Sequence, residues 1–381
     1  MARWLFDLVQ PYGPGDEVVP GAVLVRASTE LGLRLTLAVD DGSELHVDVT
    51  PAEPDARYAA RSERLLFGYR AGRSGRVDGR RALAVCQRLA EAARANEERV
   101  LAALAAEEAS GRVREVQVER LLEPMGDGPE RFYGLSPYVG CLIGCRFCYA
   151  PSRLDPLRRL LGRAAVPWGS WTDIRANAAE VLADELGRLP PAPIKFCPIV
   201  SDPYHAVERR RPVTRACLET LASRAPRWPV LVLTRSPLVR RDFDVLARLE
   251  QAFVGVSLPT ADDAVRAHFE PRASPVDERL ETLSLARAAG LRTFAMVQPL
   301  LPGEVGQLAD ALAAHADSVS LDVLRGVQGA AADFATSDHP ECASDEWQGS
   351  RAAALGVALA DRAVPRWKGE LPPSLRSPTS A

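Results

Sequence analysis

The sequence predicts an α/β fold: a partial (β/α)6 barrel of the TIM type, preceded by an α+β accessory domain. Two observations predict it. Residues 1–115 begin with segments in which apolar and polar residues alternate, and they end in one long amphipathic stretch. In residues 116–330, short apolar runs alternate with helical stretches, which is typical of βα units around a parallel sheet. Residues 331–381 are expected to form a C-terminal extension.

The accessory domain is expected to contain a β-hairpin and a long helix. LRLTLAV at 33–39 and ELHVDVT at 44–50 alternate apolar and polar residues on either side of DDGS, which is a hairpin pattern. Further strands are predicted at 21–27 and 64–70. From about residue 80 to residue 110, apolar residues recur at three- and four-residue spacing, so this stretch is predicted to be one amphipathic helix.

The second domain is expected to contain six βα units. The first strand precedes Cys141, and five more are predicted at 194–200, 229–235, 253–258, 292–300 and 317–324. Helices are predicted at 173–189, 213–225, 238–250, 275–290 and 304–316. Six units favour an open or incomplete barrel over the complete barrel of eight.

Composition excludes several classes of protein. The 381 residues are 47% hydrophobic and 25% charged, which excludes a disordered or fibrous chain. A formal charge of −3 provides no global basic field for duplex nucleic acid, although a local basic groove stays open. We expect neither a membrane span nor a signal peptide. Three of the seven cysteines fall between residues 141 and 148, which argues against a secreted disulfide scaffold and favours a reducing cytoplasm.

One motif carries chemistry. Cys141, Cys145 and Cys148 form a C-x3-C-x2-C pattern directly after the first strand of the βα series. Three thiolates at this spacing can hold a [4Fe–4S] cluster and leave its fourth iron open to a small molecule. Structural zinc normally takes four ligands, and the nearest further candidates, Cys197 and His205, are distant in sequence. The spacing therefore predicts a three-cysteine iron–sulfur site, with zinc as the alternative.

The segments around this motif resemble the radical S-adenosylmethionine (SAM) superfamily, and more narrowly its branch related to spore photoproduct lyase, also called DNA repair photolyase-like. The resemblance covers roughly residues 130–325 and rests on SPYVGCLIGCRFCYA, VSDPYHAVERRRPVTRACLE, VLVLTRSPLVRRDFDVL, VSLPTADDAVRAHFEPRASPVDERLETLSLARAAGL and MVQPLLPG. The first 115 residues show no such match.

The resemblance implies an enzyme. Its [4Fe–4S] cluster would be held by the three cysteines, and SAM would chelate the open iron. Reductive cleavage of SAM would give a 5′-deoxyadenosyl radical that abstracts hydrogen from a substrate. The substrate stays open among a peptide, a nucleotide or nucleic acid, and a natural-product intermediate. An electron donor such as flavodoxin or ferredoxin is implied, and residues 1–115 are a candidate docking domain for the substrate. Two other hypotheses are a non-catalytic iron–sulfur redox protein and a zinc-stabilised binding module.

The resemblance also implies SAM-binding residues near the strand ends, where ligands bind in barrels and open parallel sheets. Tyr149 resembles the aromatic residue that packs near the adenine. The alternative for the strand-end residues is a capping role or a surface ion pair. The implied set is Tyr149, Ser201, Asp202, Arg235, Ser257 and Glu270.

The hydrogen donor is a point of departure from the spore photoproduct enzyme. That enzyme has a tyrosine just before the third cluster cysteine, where this chain has Phe147. It also uses a separate cysteine as donor, for which Cys197 is the candidate catalytic residue here. The donor position aligns more naturally near Ile199, and Cys197 could instead fill the core as a small apolar residue. Thymine-dimer repair is therefore not implied.

Overall fold

A computed structural model describes residues 3–28, 33–52, 58–72, 77–106, 112–126, 128–152, 154, 158, 166–196, 200–323, 331–335 and 337–376. The chain divides into two compact units. The first comprises residues 1–111 and 151–167, and the second comprises residues 112–150 and 168–381. The domain boundaries placed after residues 115 and 330 remain predictions. None of the described helices is both long and apolar enough to cross a membrane.

Within its described residues up to Ala106, the first unit forms an antiparallel sheet and two helices. Its helices are α1 (Arg3–Leu8) and α2 (Gly79–Ala106). Its strands are β1 (Glu17–Val19), β2 (Ala22–Ser28), β3 (Leu33–Val39), β4 (Glu44–Pro51), β5 (Ala60–Arg61) and β6 (Leu65–Ala71). They lie in the order β1-β2-β3-β4-β6-β5. The β3–β4 pair is the hairpin that the alternating pattern at 33–50 predicts.

The core of the first unit lies between this sheet and α2. Because alternate residues of a strand face the same side, Leu35 and Leu37 both point inward, where they join Leu89 of α2 in one apolar cluster. One buried carboxylate fixes α2 to the sheet. Glu97 accepts hydrogen bonds from Ser62 Oγ at 2.6 Å and from the Glu63 backbone N–H at 3.0 Å.

The second unit contains the predicted parallel sheet. Its strands are β7 (Val113–Val116), β8 (Leu122–Met125), β9 (Phe132–Leu135), β10 (Tyr138–Val139), β11 (Thr172–Arg175), β12 (Ile194–Phe196), β13 (Val230–Thr234), β14 (Ala252–Ser257), β15 (Arg292–Val297), β16 (Ser318–Leu321) and β17 (Arg366–Trp367). Eight of them form the main sheet, in the order β17-β16-β15-β14-β13-β12-β9-β8. Neighbours from β9 to β17 are parallel, and β8 is antiparallel to β9.

Helices follow the strands of the main sheet. The α-helices are α3 (Ala178–Leu186), α4 (Val213–Arg224), α5 (Phe243–Leu246), α6 (Asp263–Phe269), α7 (Val276–Ala288), α8 (Val305–His315), α9 (Ala331–Ala335) and α10 (Asp345–Asp361). Short 3-10 helices occupy Gly128–Glu130, Ala206–Arg209, Pro237–Asp242, Pro340–Ala343 and Pro373–Leu375. Among the described strands, the edge strands β8 and β17 do not pair with each other, so the α/β unit is a partial barrel of the TIM type.

The two faces of the main sheet are both buried. On the outer face, Val232 and Val254 pack beneath the helices. On the inner face, Leu231, Phe253 and Phe294 meet apolar side chains of the C-terminal segment. Two buried faces explain why these strands read as nearly continuous apolar runs.

The C-terminal segment 366–376 fills the inner face of the sheet. Trp367 packs against Phe294, with ring centroids 5.8 Å apart. Lys195 of β12 is 1% exposed, and its Nζ lies 2.5 Å from Glu370 Oε2. This ammonium group lowers the pKa of the Glu370 carboxyl. A buried lysine needs such a partner, so the segment after β17 is part of the barrel's structure.

The sequence-based assignment is wrong at the start of the helix predicted for 173–189. Residues Thr172–Arg175 form β11, which pairs in parallel with β7 and antiparallel with β10. The pairing is reinforced by an ion pair in which Arg114 Nη2 lies 2.6 Å from Asp173 Oδ2. The helix begins only at Ala178.

The sequence patterns also gave no prediction for helix α6. The signal for it was Asp262, whose side chain accepts hydrogen bonds from the backbone N–H groups of Ala264 and Val265. Aspartate in this role is a common start of a helix.

The inner packing predicts the effect of Gly255→Ala. A Cβ at this position would lie 2.2 Å from the Phe294 ring, which Trp367 holds in place. We expect the substitution to lower the free energy of unfolding by about 1–3 kcal/mol. Gly306→Ala is the control, because a Cβ there meets open space in helix α8 and should leave stability unchanged or raise it by up to about 1 kcal/mol. Urea denaturation measures both, and equal stability of the two variants would contradict the packing.

Candidate cofactor site

The three motif cysteines lie in a loop that follows β10. Cys141 and Cys145 are buried and Cys148 is half-buried. All three belong to one apolar cluster that also contains Phe147 and Phe269. A loop of this kind gives each sulfur little water, so the state of the three thiols depends on the charges around them.

Burial raises the pKa of all three thiols, to about 12 for Cys141 and well above the usual range for Cys145. The negative charges of the other two cysteines raise the pKa of Cys145 further, which places the three sulfurs within electrostatic reach of one another. Arg235 opposes this effect at both Cys145 and Cys148. Without a bound cation, this site favours neutral thiols; bound iron would favour thiolates.

The arrangement differs from a single-ion site. Within the described ranges, no group of three or more His, Cys, Asp or Glu side chains is placed to hold one metal ion. Structural zinc would require such a group. A cubane cluster, in contrast, presents a different iron to each cysteine, so its three sulfurs need not converge on one point.

The cysteine loop is held in place by the connection between α6 and α7. The Arg146 backbone N–H donates to the Phe269 carbonyl at 2.8 Å, and Arg272 Nε donates to the Ile143 carbonyl at 3.4 Å. The Arg272 guanidinium lies beside Gly144 and Gly169, both of which have positive φ. A Cβ on Gly144 would lie 2.4 Å from Arg272 Nη2 and 2.8 Å from the Gly169 Cα.

Asp202 is a hydrogen-bonding centre in the loops that follow the strands of the main sheet. Its carboxylate accepts hydrogen bonds from Thr234 Oγ1 at 2.6 Å and from the backbone N–H groups of Tyr204 and Arg235, both at 2.8 Å. Burial raises the pKa of this carboxyl, and these donors oppose the rise. Its backbone N–H lies beside the Cys141 sulfur and lowers the pKa of that thiol. Asp202 thus links the ends of β12 and β13 to the cysteine loop.

Arg235 and Glu270, predicted separately, form a buried ion pair. Arg235 Nε donates to Glu270 Oε1 at 2.5 Å, and the Arg235 guanidinium lies 5.6 Å from the centre of the Phe147 ring. Glu270 Oε2 lies 2.7 Å from Arg279 Nη1, without the angle of a hydrogen bond. Burial lowers the pKa of Arg235, but Cys145, Glu270 and Asp202 together raise it above its usual value. The guanidinium therefore stays charged next to the cysteines.

Three buried polar atoms near this pair lack hydrogen-bond partners within the described residues: Ser257 Oγ, Arg279 Nη2 and Glu270 Oε2, the last of which still has its ion pair with Arg279. Arg279 Nη1 donates to the Ser257 carbonyl at 2.8 Å, so the three groups are neighbours. Buried polar groups without partners are uncommon in native proteins and point to a missing ligand or water. Ser201, in contrast, uses its hydroxyl internally, because its Oγ donates to the Asp202 carbonyl at 3.3 Å.

Of the remaining candidate residues, Tyr149 and His205 are described by the structure and Cys197 is not. Tyr149 is half-buried directly after Cys148. The candidate hydrogen donor Cys197, like Ile199, lies outside the described residues. His205 belongs to the structural framework: it is buried, its Nδ1 accepts from the Val207 backbone N–H at 3.4 Å, and burial lowers its pKa to about 4.

Sequence reasoning missed Arg272 and Arg279. Arg279 lies in DERLETL and looks like a solvent-facing charge of helix α7, yet it is 1% exposed. Arg272 lies in a loop, where an arginine is ordinarily solvated. The signal for Arg272 lay elsewhere in the chain, in Gly144 and Gly169, whose missing side chains leave room for its guanidinium.

The residues present fit a [4Fe–4S] cluster and SAM. Three cysteines share one shielded loop, a cation lies beside two of them, and a buried hydroxyl without a partner lies at the end of β14. An acidic group such as the SAM carboxylate would meet Arg235, and a polar atom of SAM would satisfy Ser257.

Comparison with known proteins agrees with this chemistry. Residues 135–313 match the sequence profile of the radical SAM superfamily. An uncharacterized protein of Methanocaldococcus jannaschii is 26% identical over 176 residues, which are 46% of this chain and 62% of that protein. An uncharacterized protein of Mycobacterium tuberculosis is 29% identical over 229 residues, which are 56% of this chain and 65% of that protein. The chain thus spans less than two thirds of the length of these curated relatives.

A solved structure shows a similar fold. It is a spore photoproduct lyase mutant with bound AdoMet and dinucleoside spore photoproduct, and it is 13% identical to this chain with a TM-score of 0.50. The match covers 71% of this chain and 85% of that one.

The contacts of Arg272 predict that Gly144→Ala is more harmful than an alanine at another glycine with positive φ. Gly290 is the control, since its φ is +79° and a Cβ there meets nothing within 4 Å. Gly290→Ala should cost about 1–2 kcal/mol for the left-handed conformation alone. Gly144→Ala should cost about 1–3 kcal/mol more, because the Gly169 backbone cannot yield easily. Urea unfolding of the metal-free chain measures the difference, and equal losses would refute the close approach.

Proposed function

We propose, from the premise that this chain carries a radical SAM domain, that it is an enzyme that cleaves SAM reductively and abstracts hydrogen from a substrate. When bound, the [4Fe–4S] cluster supplies the electron for this cleavage, which gives a 5′-deoxyadenosyl radical. The observation that carries the proposal is the gathering of Cys141, Cys145 and Cys148 beside the charged Arg235. Both alternatives are less favoured: a zinc module lacks a single-ion ligand group in the described part of the chain, and a simple redox protein would not need the unsatisfied polar groups at the strand ends.

The side chains around the loop divide into two roles. Cys141, Cys145 and Cys148 would hold the cluster. Arg235 would bind the SAM carboxylate, since its Nε already donates to Glu270 and its other N–H groups remain to donate. Glu270 would orient that guanidinium.

The other predicted SAM contacts follow the same rim. Ser257 would donate or accept through its unpartnered hydroxyl. Tyr149 would lie against the adenine. Asp202 would act chiefly as a positioning residue, because its carboxylate is already occupied by three donors. Ser201 would contribute beside it, at the end of β12.

The finer architecture is also part of the proposal. We take β9 and β12–β16 as the strands of the six βα units, residues 1–115 as an accessory domain, and residues 331–381 as an extension.

The accessory domain would dock the substrate, whose class stays a peptide, a nucleotide or nucleic acid, or a natural-product intermediate. A flavodoxin or ferredoxin in a reducing cytoplasm would supply electrons. Cys197 keeps its two predicted roles, hydrogen donor or core residue.

Cysteine substitutions test the cluster. Cys141→Ala, Cys145→Ala or Cys148→Ala should each abolish the brown absorbance near 400 nm and all formation of 5′-deoxyadenosine, because a cube held by two cysteines is lost. Cys342→Ala is the matched control, because Cys342 is buried in the same apolar cluster and is not part of the motif. Iron and sulfide analysis after anaerobic reconstitution measures the outcome. Normal iron content and activity in any of the three variants would refute the assignment.

The orphan hydroxyl tests the SAM site. Ser257→Ala should weaken SAM binding by about 1 kcal/mol, or roughly fivefold in Kd, and should leave the stability of the SAM-free chain unchanged or slightly higher. Ser43→Ala is the control, since Ser43 also has a buried hydroxyl without a partner but lies in the first unit. It should leave SAM binding unchanged. Isothermal titration with SAM under anaerobic conditions measures both, and equal affinities for the two variants would remove Ser257 from the site.

A further inference from the structure

Trp168 has a buried N–H group that the proposed function does not yet use. Its indole Nε1 is shielded from solvent and has no hydrogen-bond partner within the described residues. The ring belongs to the same apolar cluster as Cys141, Cys145 and Cys148. An indole nitrogen can only donate a hydrogen bond, so this group needs an acceptor.

An acceptor within reach of this N–H is the sulfur of Cys148, which packs against the same apolar cluster. Burial raises the pKa of the Cys148 thiol, and the Trp168 N–H is among the groups that oppose the rise by favouring the thiolate. A neutral thiol accepts hydrogen bonds weakly, whereas an iron-bound thiolate carries negative charge and accepts them well. A cluster-bound thiolate at position 148 would give this buried donor its acceptor.

The ring is held firmly in this orientation. Trp168 packs edge to face on Trp171, with ring centroids 6.1 Å apart. Trp171 is itself 7% exposed and lies over Gly140, where a Cβ would come within 2.5 Å of its ring. Gly169, between the two tryptophans, adopts a φ of +86°, a backbone conformation that residues with a side chain rarely adopt. Such support is what a residue acting on a metal ligand requires.

We propose that Trp168 is a positioning residue that donates a hydrogen bond from Nε1 to the Cys148 thiolate and thereby raises the reduction potential of the cluster. The reduced cluster carries one more negative charge than the oxidised one. A donor aimed at a ligand sulfur stabilises the reduced form more than the oxidised form, and so makes reduction easier. This inference rests on the proposed function, because it requires the cluster.

The test replaces Trp168 with benzothienylalanine, introduced by stop-codon suppression. This side chain has the shape of tryptophan, with sulfur in place of the N–H, so packing is kept and only the donor is lost. Trp168→Phe is the second variant. Trp347→Phe is the control, since Trp347 packs against the same apolar cluster from helix α10.

Each full-length protein is reconstituted anaerobically, its iron and sulfide are counted, and the cluster is titrated with its electron paramagnetic resonance signal as readout. We expect normal iron content and a midpoint potential shifted to more negative values in both Trp168 variants, with no shift in Trp347→Phe. Electron–nuclear double resonance of the reduced wild-type cluster should show a coupled exchangeable proton that both Trp168 variants lack.

The outcomes separate the two levels of the proposal. If the wild-type chain binds no iron–sulfur cluster, the proposed function itself fails. If the wild-type chain holds a cluster and the benzothienylalanine variant keeps its potential and its proton coupling, the role of Trp168 is overturned while the function stands. Loss of the cluster in both variants also overturns the role, because it assigns Trp168 to packing alone.

Discussion

Three cysteine sulfur atoms in one shielded loop of the second unit are costly to ionise together. Burial favours neutral thiols at Cys141, Cys145 and Cys148, and neighbouring thiolates further disfavour ionisation of Cys141 and Cys145. A function that needs all three as thiolates therefore needs compensating positive charge. In the proposed function, bound iron would supply most of it, and Arg235 with backbone N–H groups would supply the rest. Residues that hold the surrounding loops in place also act on the sulfurs. Asp202 connects the strand ends and places its backbone N–H beside Cys141, and Arg235 pairs with Glu270 and places its charge beside Cys145.

Arg235 is itself a buried charge, and the groups that neutralise it form a chain of polar contacts leading away from the cysteines. Glu270 pairs with Arg235 on one side and with Arg279 on the other. Arg279 then binds the carbonyl of Ser257, at the end of β14. A buried ion pair stabilises a protein only when its remaining donors are satisfied, and here some are not. In the proposed function, this network would hold the strand ends at fixed positions around SAM.

The sequence predicted what depends on local pattern and missed what depends on distant partners. Apolar runs identified the strands of the main sheet because both of its faces are buried, and spacing alone identified the cysteine loop. Residues 173–175 were assigned to a helix because their strand partner, β7, lies some 59 positions earlier and has no distinctive pattern. Arg279 looked like an ordinary helix charge, since its partner Glu270 becomes a neighbour only through the turn between α6 and α7. The missing partner of Ser257 could be seen only in three dimensions.

The filling of the inner face by residues 366–376 has a consequence for the order of assembly. During translation, the other seven strands of the main sheet and the cysteine loop leave the ribosome before this segment does. Before this segment emerges, Lys195 has no Glu370 to pair with. The apolar inner face that Trp367 covers is then exposed to water. The inner face of the sheet is therefore uncovered at the stage when the cysteine loop first emerges. The arrival of residues 366–376 then covers this face.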